Sequence, residues 1–119
     1  MKRGDIWFAD LTAVGSEINK HRPVLIVSNN ANNRAASTLT VLPITSNVEK
    51  IYPFEVALSI EASGLPKLSK AQAQQIRTIA RERIVGKRIG QLDRKQMDLI
   101  DQTIRLHLAL DWTARNQWA

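Results

Sequence analysis

Apolar residues in this chain come first in short runs and only near the end in a long helical stripe. Residues 5–11, Asp-Ile-Trp-Phe-Ala-Asp-Leu, are rich in aromatic and β-favouring side chains and short enough for one strand. The polar stretch 12–21, with Gly15, Ser16 and Asn19, predicts a loop. Pro23-Val24-Leu25-Ile26-Val27 is a continuous apolar run closed by Ser28, Asn29 and Asn30, which predicts a central strand buried on both faces. One short helical turn fits within 30–36. A third strand is predicted over 39–45; Pro43 cannot donate to a ladder, so this strand is expected at a sheet edge or at a bulge, with backbone freed near Thr45.

Residues 54–58 alternate apolar with small or polar side chains, as a half-buried strand does, and Ser63-Gly64-Leu65-Pro66 reads as a turn. Two further short strands are predicted over 72–78 and 82–85, with basic residues on their exposed side and Gly86 and Gly90 punctuating the exit. Asp93 stands three residues before Gln96, the spacing of a capping box, and opens a helix over 93–111 whose Met97, Ile100, Ile104 and Leu108 form one apolar stripe. Short strands followed by a terminal helix predict a mainly β protein with helices: a compact, strongly curved small β-barrel under helical cover. With no repeat, low-complexity stretch or linker, the 119 residues are expected to form one domain spanning 1–119.

Composition narrows the function classes. No apolar run approaches the roughly 18 residues of a membrane span, and the basic start, Met1 to Asp5, lacks the apolar segment of a signal peptide. A soluble, cytoplasmic protein with no membrane partner is expected. Without cysteine there is no disulfide, no thiolate nucleophile and no Cys-based zinc site. Two distant histidines and scattered carboxylates give no metal-ligand cluster, and no glycine loop cradles a phosphate, so neither metal nor cofactor is expected. Of the 17 Lys and Arg, seven fall between Lys67 and Arg88 with Glu82 as the single acid, while the other ten are balanced by ten acidic residues. Such a segment attracts a polyanion, a nucleic acid or an acidic protein segment, or it is simply a solvated face.

Three segments stand in order along the chain: Lys2-Arg3-Gly4-Asp5-Ile6-Trp7-Phe8-Ala9-Asp10-Leu11; Gly15-Ser16-Glu17 followed by Arg22-Pro23-Val24-Leu25-Ile26-Val27-Ser28-Asn29; and Gln75-Ile76-Arg77-Thr78-Ile79. Together they resemble the MazF/PemK (Kid) family of toxin ribonucleases. Leu42-Pro43-Ile44-Thr45 matches as well. The resemblance implies an SH3-like barrel of the CcdB/MazF/PemK kind, a homodimer, sequence-selective and metal-independent cleavage of mRNA, and neutralisation by an acidic, MazE-like antitoxin. Many relatives carry glycine just before the Arg-Pro pair, whereas this chain has Asn19-Lys20-His21, which stiffens and charges that loop.

RNA can be cut without a metal because its own 2′-hydroxyl can attack the adjacent phosphate. The protein must then provide a route for the 2′-proton, a proton for the leaving oxygen, and donors for the phosphorane. Arg22 meets the last need, since a guanidinium donates bidentately to phosphate and keeps its charge. Thr45 adds a hydroxyl donor. His21 offers a proton carrier, although strand alternation sends it to the side opposite Arg22, so it stands either as general base or as a loop residue near phosphate or solvent. His107 reads as a structural residue of the last helix. Ser16, Glu17 and Lys20 lie in the loop before Arg22, where the resemblance places substrate contacts; Glu17 reads equally as a solvated acid. Gln75 resembles a substrate-facing glutamine of the family. Arg77, Arg81 and Arg83 are candidates for backbone phosphate contacts, and Tyr52, beside Pro53, is the aromatic best placed to touch a base. Trp7 reads as packing rather than base stacking, and Trp112 and Trp118 as packing or dimer contacts. A rival reading from another class is a gyrase poison like CcdB, which acts without catalysis and to which Trp118 near the C-terminus points; another is a binding module that has lost cleavage.

Overall fold

The computed structural model describes residues 1–11 and 20–110. Strands β1 (Asp5–Leu11) and β2 (Lys20–Ile26) run antiparallel, from Ile6 opposite Leu25 to Leu11 opposite Lys20. Alternation sends Ile6 and Leu25 into one core and Ala9, Leu11, Val24 and Ile26 into a second, so the continuous apolar run is buried on both faces as expected. Helix α1 (Asn30–Ala35) follows, capped by the Asn29 side chain, which accepts from the Asn32 amide at 2.8 Å.

Strand β3 (Thr38–Thr45) departs from expectation: it lies inside the sheet. One side pairs with β2; the other pairs first with β6 (Arg77–Ala80) and then with β5 (Ser69–Gln72). The change of partner falls between Val41, opposite Arg77, and Ile44, opposite Ala71. Pro43, which has no N–H to give, sits in that gap. The strand predicted over 72–78 is broken for the same reason: opposite Leu42 and Pro43 the chain steps out of the ladder into a 3-10 turn, Ala73–Gln75. Beyond β6 a second 3-10 turn, Arg81–Arg83, occupies the start of the strand expected over 82–85.

Strand β7 (Ile84–Gln91) therefore begins later and runs further, with Gly86 and Gly90 inside it. Its pairing with β1 shifts register between Phe8, opposite Val85, and Ile6, opposite Gly90. Gly86 adopts φ 75° in that bulge, a conformation costly for any residue with a Cβ. Strand β4 (Glu55–Leu58) pairs with β5 and forms the other end of the sheet, whose order is β4-β5-β3-β2-β1-β7 with β6 beside β3. The two end strands do not pair with each other, so the sheet is curled but not closed by a ladder. What meets across the seam is backbone. Helix α2 (Ile60–Ser63), after β4, ends at Gly64, and a Cβ at Gly90 would lie 2.1 Å from the Ser63 carbonyl oxygen.

Helix α3 (Arg94–Leu108) starts as its capping signal predicts, with the Asp93 carboxylate accepting from the Gln96 amide at 2.9 Å. Met97 and Ile100 are buried against Ile6, Leu25, Leu42 and Leu58, with Ile104 packed beside them. Leu108 ends the helix exposed, and Ala109 turns the chain left-handed, so the helix stops short of the expected 111; Asp111, like Trp112 and Trp118, lies outside the described residues. Arg3 ties helix to sheet, donating to the Val27 carbonyl at 2.9 Å and pairing with Asp101. No helix among the described residues is long and apolar enough to cross a membrane.

Candidate functional site

The β2–β3 ladder stops at the pair Val24 and Pro43. With Pro23 on one strand and Pro43 on the other, neither can supply the next amide, and the strands part. A cleft of about 330 Å³ opens where they do. His21, Arg22 and Pro23 border it from β2, Phe8 from β1, and Ile44, Thr45 and Ser46 from the end of β3. The far wall is the segment after α2: Leu65, Pro66, Lys67 and Ser69. Ile44 and Leu65 are buried and give the floor an apolar lining, while His21, Arg22 and Lys67 are exposed at its mouth.

Register places the two principal candidates. Arg22 stands two residues before Val24 and Thr45 two residues after Pro43, the last pair of the β2–β3 ladder, and both line the cleft; Thr45 lies opposite Lys70 of β5. Thr45 is half-exposed, and its hydroxyl accepts from the Asn47 amide at 3.2 Å, which leaves its proton to donate. His21 lines the same cleft despite strand alternation, because the parted strand ends are bordered by residues of both parities. An anion entering this cleft would meet a guanidinium, a lysine ammonium and several hydroxyls over an apolar floor.

The other sequence candidates are spread over neighbouring elements. Tyr52, in the β3–β4 loop, stacks on Phe54 at 5.3 Å with the rings 3° from parallel, and the Lys50 ammonium lies 4.9 Å from its ring centre. Phe54 in turn touches the ring of His107, on the last turn of α3, at 6.2 Å. Gln75 is exposed at the end of a 3-10 turn rather than on a strand, and Arg77 is exposed at the start of β6. Arg81 is half-buried and donates to the Asn33 and Ala36 carbonyls at the end of α1. Arg83 donates to the Asp10 carbonyl at 3.1 Å. Both therefore brace the sheet. Lys20 opens β2 opposite Leu11, while Ser16 and Glu17 lie outside the described residues.

Sequence reasoning missed a buried charge beside the site. Lys70, counted in the sequence only as one of the cations between Lys67 and Arg88, is buried, and its ammonium lies 2.9 Å from the Glu55 carboxylate and 2.6 Å from the Lys50 carbonyl. Glu55 also accepts from the Tyr52 amide at 2.9 Å, from Gln74 at 2.6 Å and from Gln72 at 3.4 Å. Burial alone would raise its pKa, but these four donors outweigh burial and hold it at about 2 against an ordinary 4.5. The pair escaped notice because its members stand 15 residues apart and meet only through β4–β5 pairing. Lys67, Ser46 and Ser69 were also missed as cleft residues; proximity to Thr45 was the signal for Ser46 alone.

Comparison with known proteins places the chain. The family described as the PemK-like, MazF-like toxin of type II toxin-antitoxin systems matches residues 2–108. Endoribonuclease MazF9 of Mycobacterium tuberculosis is 46% identical, covering 92% of this chain and 98% of that protein. Endoribonuclease EndoA of Bacillus subtilis is 39% identical over 92% of this chain and 96% of its own length. Among solved structures, an endoribonuclease in complex with its cognate antitoxin from Mycobacterial species superposes with a TM-score of 0.76 at 26% identity, covering 94% of this chain and 98% of that one. The chain belongs to the PemK-like, MazF-like family of type II toxins.

Proposed function

We propose that the protein is an endoribonuclease toxin that cuts single-stranded RNA, chiefly mRNA, at a preferred sequence, and that the Arg22–Thr45 cleft is where it cuts. What supports this reading is that Arg22 and Thr45 border one cleft at the parted ends of β2 and β3. The ribose 2′-oxygen attacks the adjacent phosphorus while the bond from phosphorus to the 5′-oxygen breaks, leaving a 2′,3′-cyclic phosphate and a 5′-hydroxyl. The 2′-proton departs to a base and the leaving oxygen takes one up. Arg22 donates to the phosphoryl oxygens as they gain charge, and Thr45 donates to the same group. His21 is the cleft residue able to carry a proton near neutrality. The nucleophile is part of the substrate, so the scheme assigns no step to a metal.

Exposed Arg77 holds the RNA backbone beside the cleft, and Gln75 and Tyr52 contact bases. Lys20, at the start of β2, and Ser16 and Glu17 before it in the sequence add substrate contacts. Arg81 and Arg83, engaged with main-chain carbonyls, act on substrate through the shape they give the sheet. The working form is a cytoplasmic homodimer, neutralised by an acidic antitoxin that competes with RNA for the cationic cleft mouth.

The test is incubation of purified protein with a long single-stranded RNA in EDTA, beside an Arg22→Ala protein and a substrate carrying 2′-deoxy sugars. Discrete fragments ending in cyclic phosphate, lost in the variant and with the deoxy substrate, are the expected result. Intact RNA, or fragments that Arg22→Ala produces equally well, would overturn the reading.

A further inference from the structure

We propose that Glu55 is a positioning residue of the RNA site, its buried carboxylate joining the strand opposite Thr45, the loop carrying Tyr52 and the turn carrying Gln75 into one rigid body. The inference rests on the ribonuclease reading and adds to it the means by which cleavage and base selection are held together.

Each of the three links is short. Lys70, whose ammonium Glu55 holds at 2.9 Å, is the residue of β5 opposite Thr45, and the residue before it, Ser69, lines the cleft wall. The loop is held at two points: the Tyr52 amide donates to Glu55, and the Lys50 carbonyl accepts from Lys70 at 2.6 Å. Gln74, immediately before Gln75, donates to the other carboxylate oxygen at 2.6 Å. The Gln74 amide oxygen is buried without a hydrogen-bond partner among the described residues, in keeping with an NH2 turned to the carboxylate at the expense of the oxygen.

Stability alone does not call for an ion pair at this place. Exchanging a buried ion pair for apolar side chains of similar volume is commonly neutral or stabilising, and the demonstrated use of such pairs is to fix register. Here the register fixed is that of β5 against β3 and of the following turn against both. Charge-assisted bonds are also directional and short, which suits holding groups within the small tolerance that catalysis demands.

The experiment compares wild type, Glu55→Gln and Glu55→Gln/Lys70→Met on a short RNA bearing the sequence the wild type prefers and on single-base variants of it. Assays are run in EDTA at a temperature where circular dichroism shows each protein folded. Glu55→Gln puts an NH2 where donors already converge, so kcat on the preferred RNA should fall about tenfold and preference over the single-base variants about fivefold. The double variant removes the stranded ammonium and should regain melting temperature while selectivity stays low. A Glu55→Gln protein with wild-type kcat and preference overturns the proposal. So does a double variant that recovers activity and selectivity along with melting temperature, since the pair would then be structural only. If Glu55→Gln does not fold, wild-type selectivity in the double variant is the overturning result. Wild-type protein that leaves RNA intact removes the ribonuclease reading itself and this inference with it.

Discussion

Two groups of charge lie side by side in this molecule and are treated oppositely. The Glu55–Lys70 pair is buried and partnered: the carboxylate takes four donors, and Lys70 divides its donors between that carboxylate and a carbonyl. At the cleft a few residues away, Arg22, His21 and Lys67 stand exposed. A charge whose donors are already spent can only hold structure. A charge whose donors still face water can exchange them for a phosphate, and the backbone pairing of Lys70 with Thr45 joins the two groups.

That contrast is open to attack from both sides. The largest effect on stability should come from Lys70→Met, which strands the buried carboxylate: a loss of about 3–5 kcal/mol in urea unfolding, against less than about 0.5 kcal/mol for Arg22→Ala. A smaller loss for Lys70→Met would mean that the interior pair is wetter than its burial implies. On activity the order reverses. Arg22→Ala should lower cleavage about 100- to 1,000-fold, as loss of a donor at a developing charge does elsewhere, with melting temperature unchanged. A stability loss matching the activity loss would erase the distinction.

Acid sharpens the comparison next. Because the Glu55 pKa is lowered from 4.5 to about 2 on folding, its stabilising contribution is complete above about pH 4.5 and is lost as pH falls toward 2. Melting temperature should therefore drop across that window, and less steeply in Glu55→Gln than in wild type; equal slopes would place the acid sensitivity elsewhere. Thr45→Val should cost about tenfold in cleavage with little change in stability. The smallest effect is expected far from both groups: Asp93→Ala should cost about 1 kcal/mol through the lost cap and leave cleavage unchanged.

What could be read in advance follows from how local each decision is. The α3 start was legible because Asp93 and Gln96 are three residues apart, and β2 because its apolar run needs only two faces to bury. The strands after α2 were not. Where β5 ends and β6 begins is decided by Pro43, some 30 residues earlier, through the change of partner along β3. The same holds for charge: counting gave seven cations between Lys67 and Arg88, yet Lys70 is neutralised by Glu55 and Arg81 is bound to α1 carbonyls. Arg22 and Thr45 were each flagged by chemistry and resemblance, but that they border one cleft depends on where the β2–β3 ladder ends, which no single segment contains.

The seam where α2 abuts β7 has a bearing on the cleft. Only bare main chain fits between Ser63, Gly64 and Gly90, so the curl of the whole sheet is latched by two residues that have nothing to retract. Leu65 and Pro66, the next residues along, are already the cleft's far wall. A single methyl at Gly90 would act as a wedge in a hinge, and the gap it forces would be felt as a displaced jaw opposite Arg22, at a point where no substrate is touched.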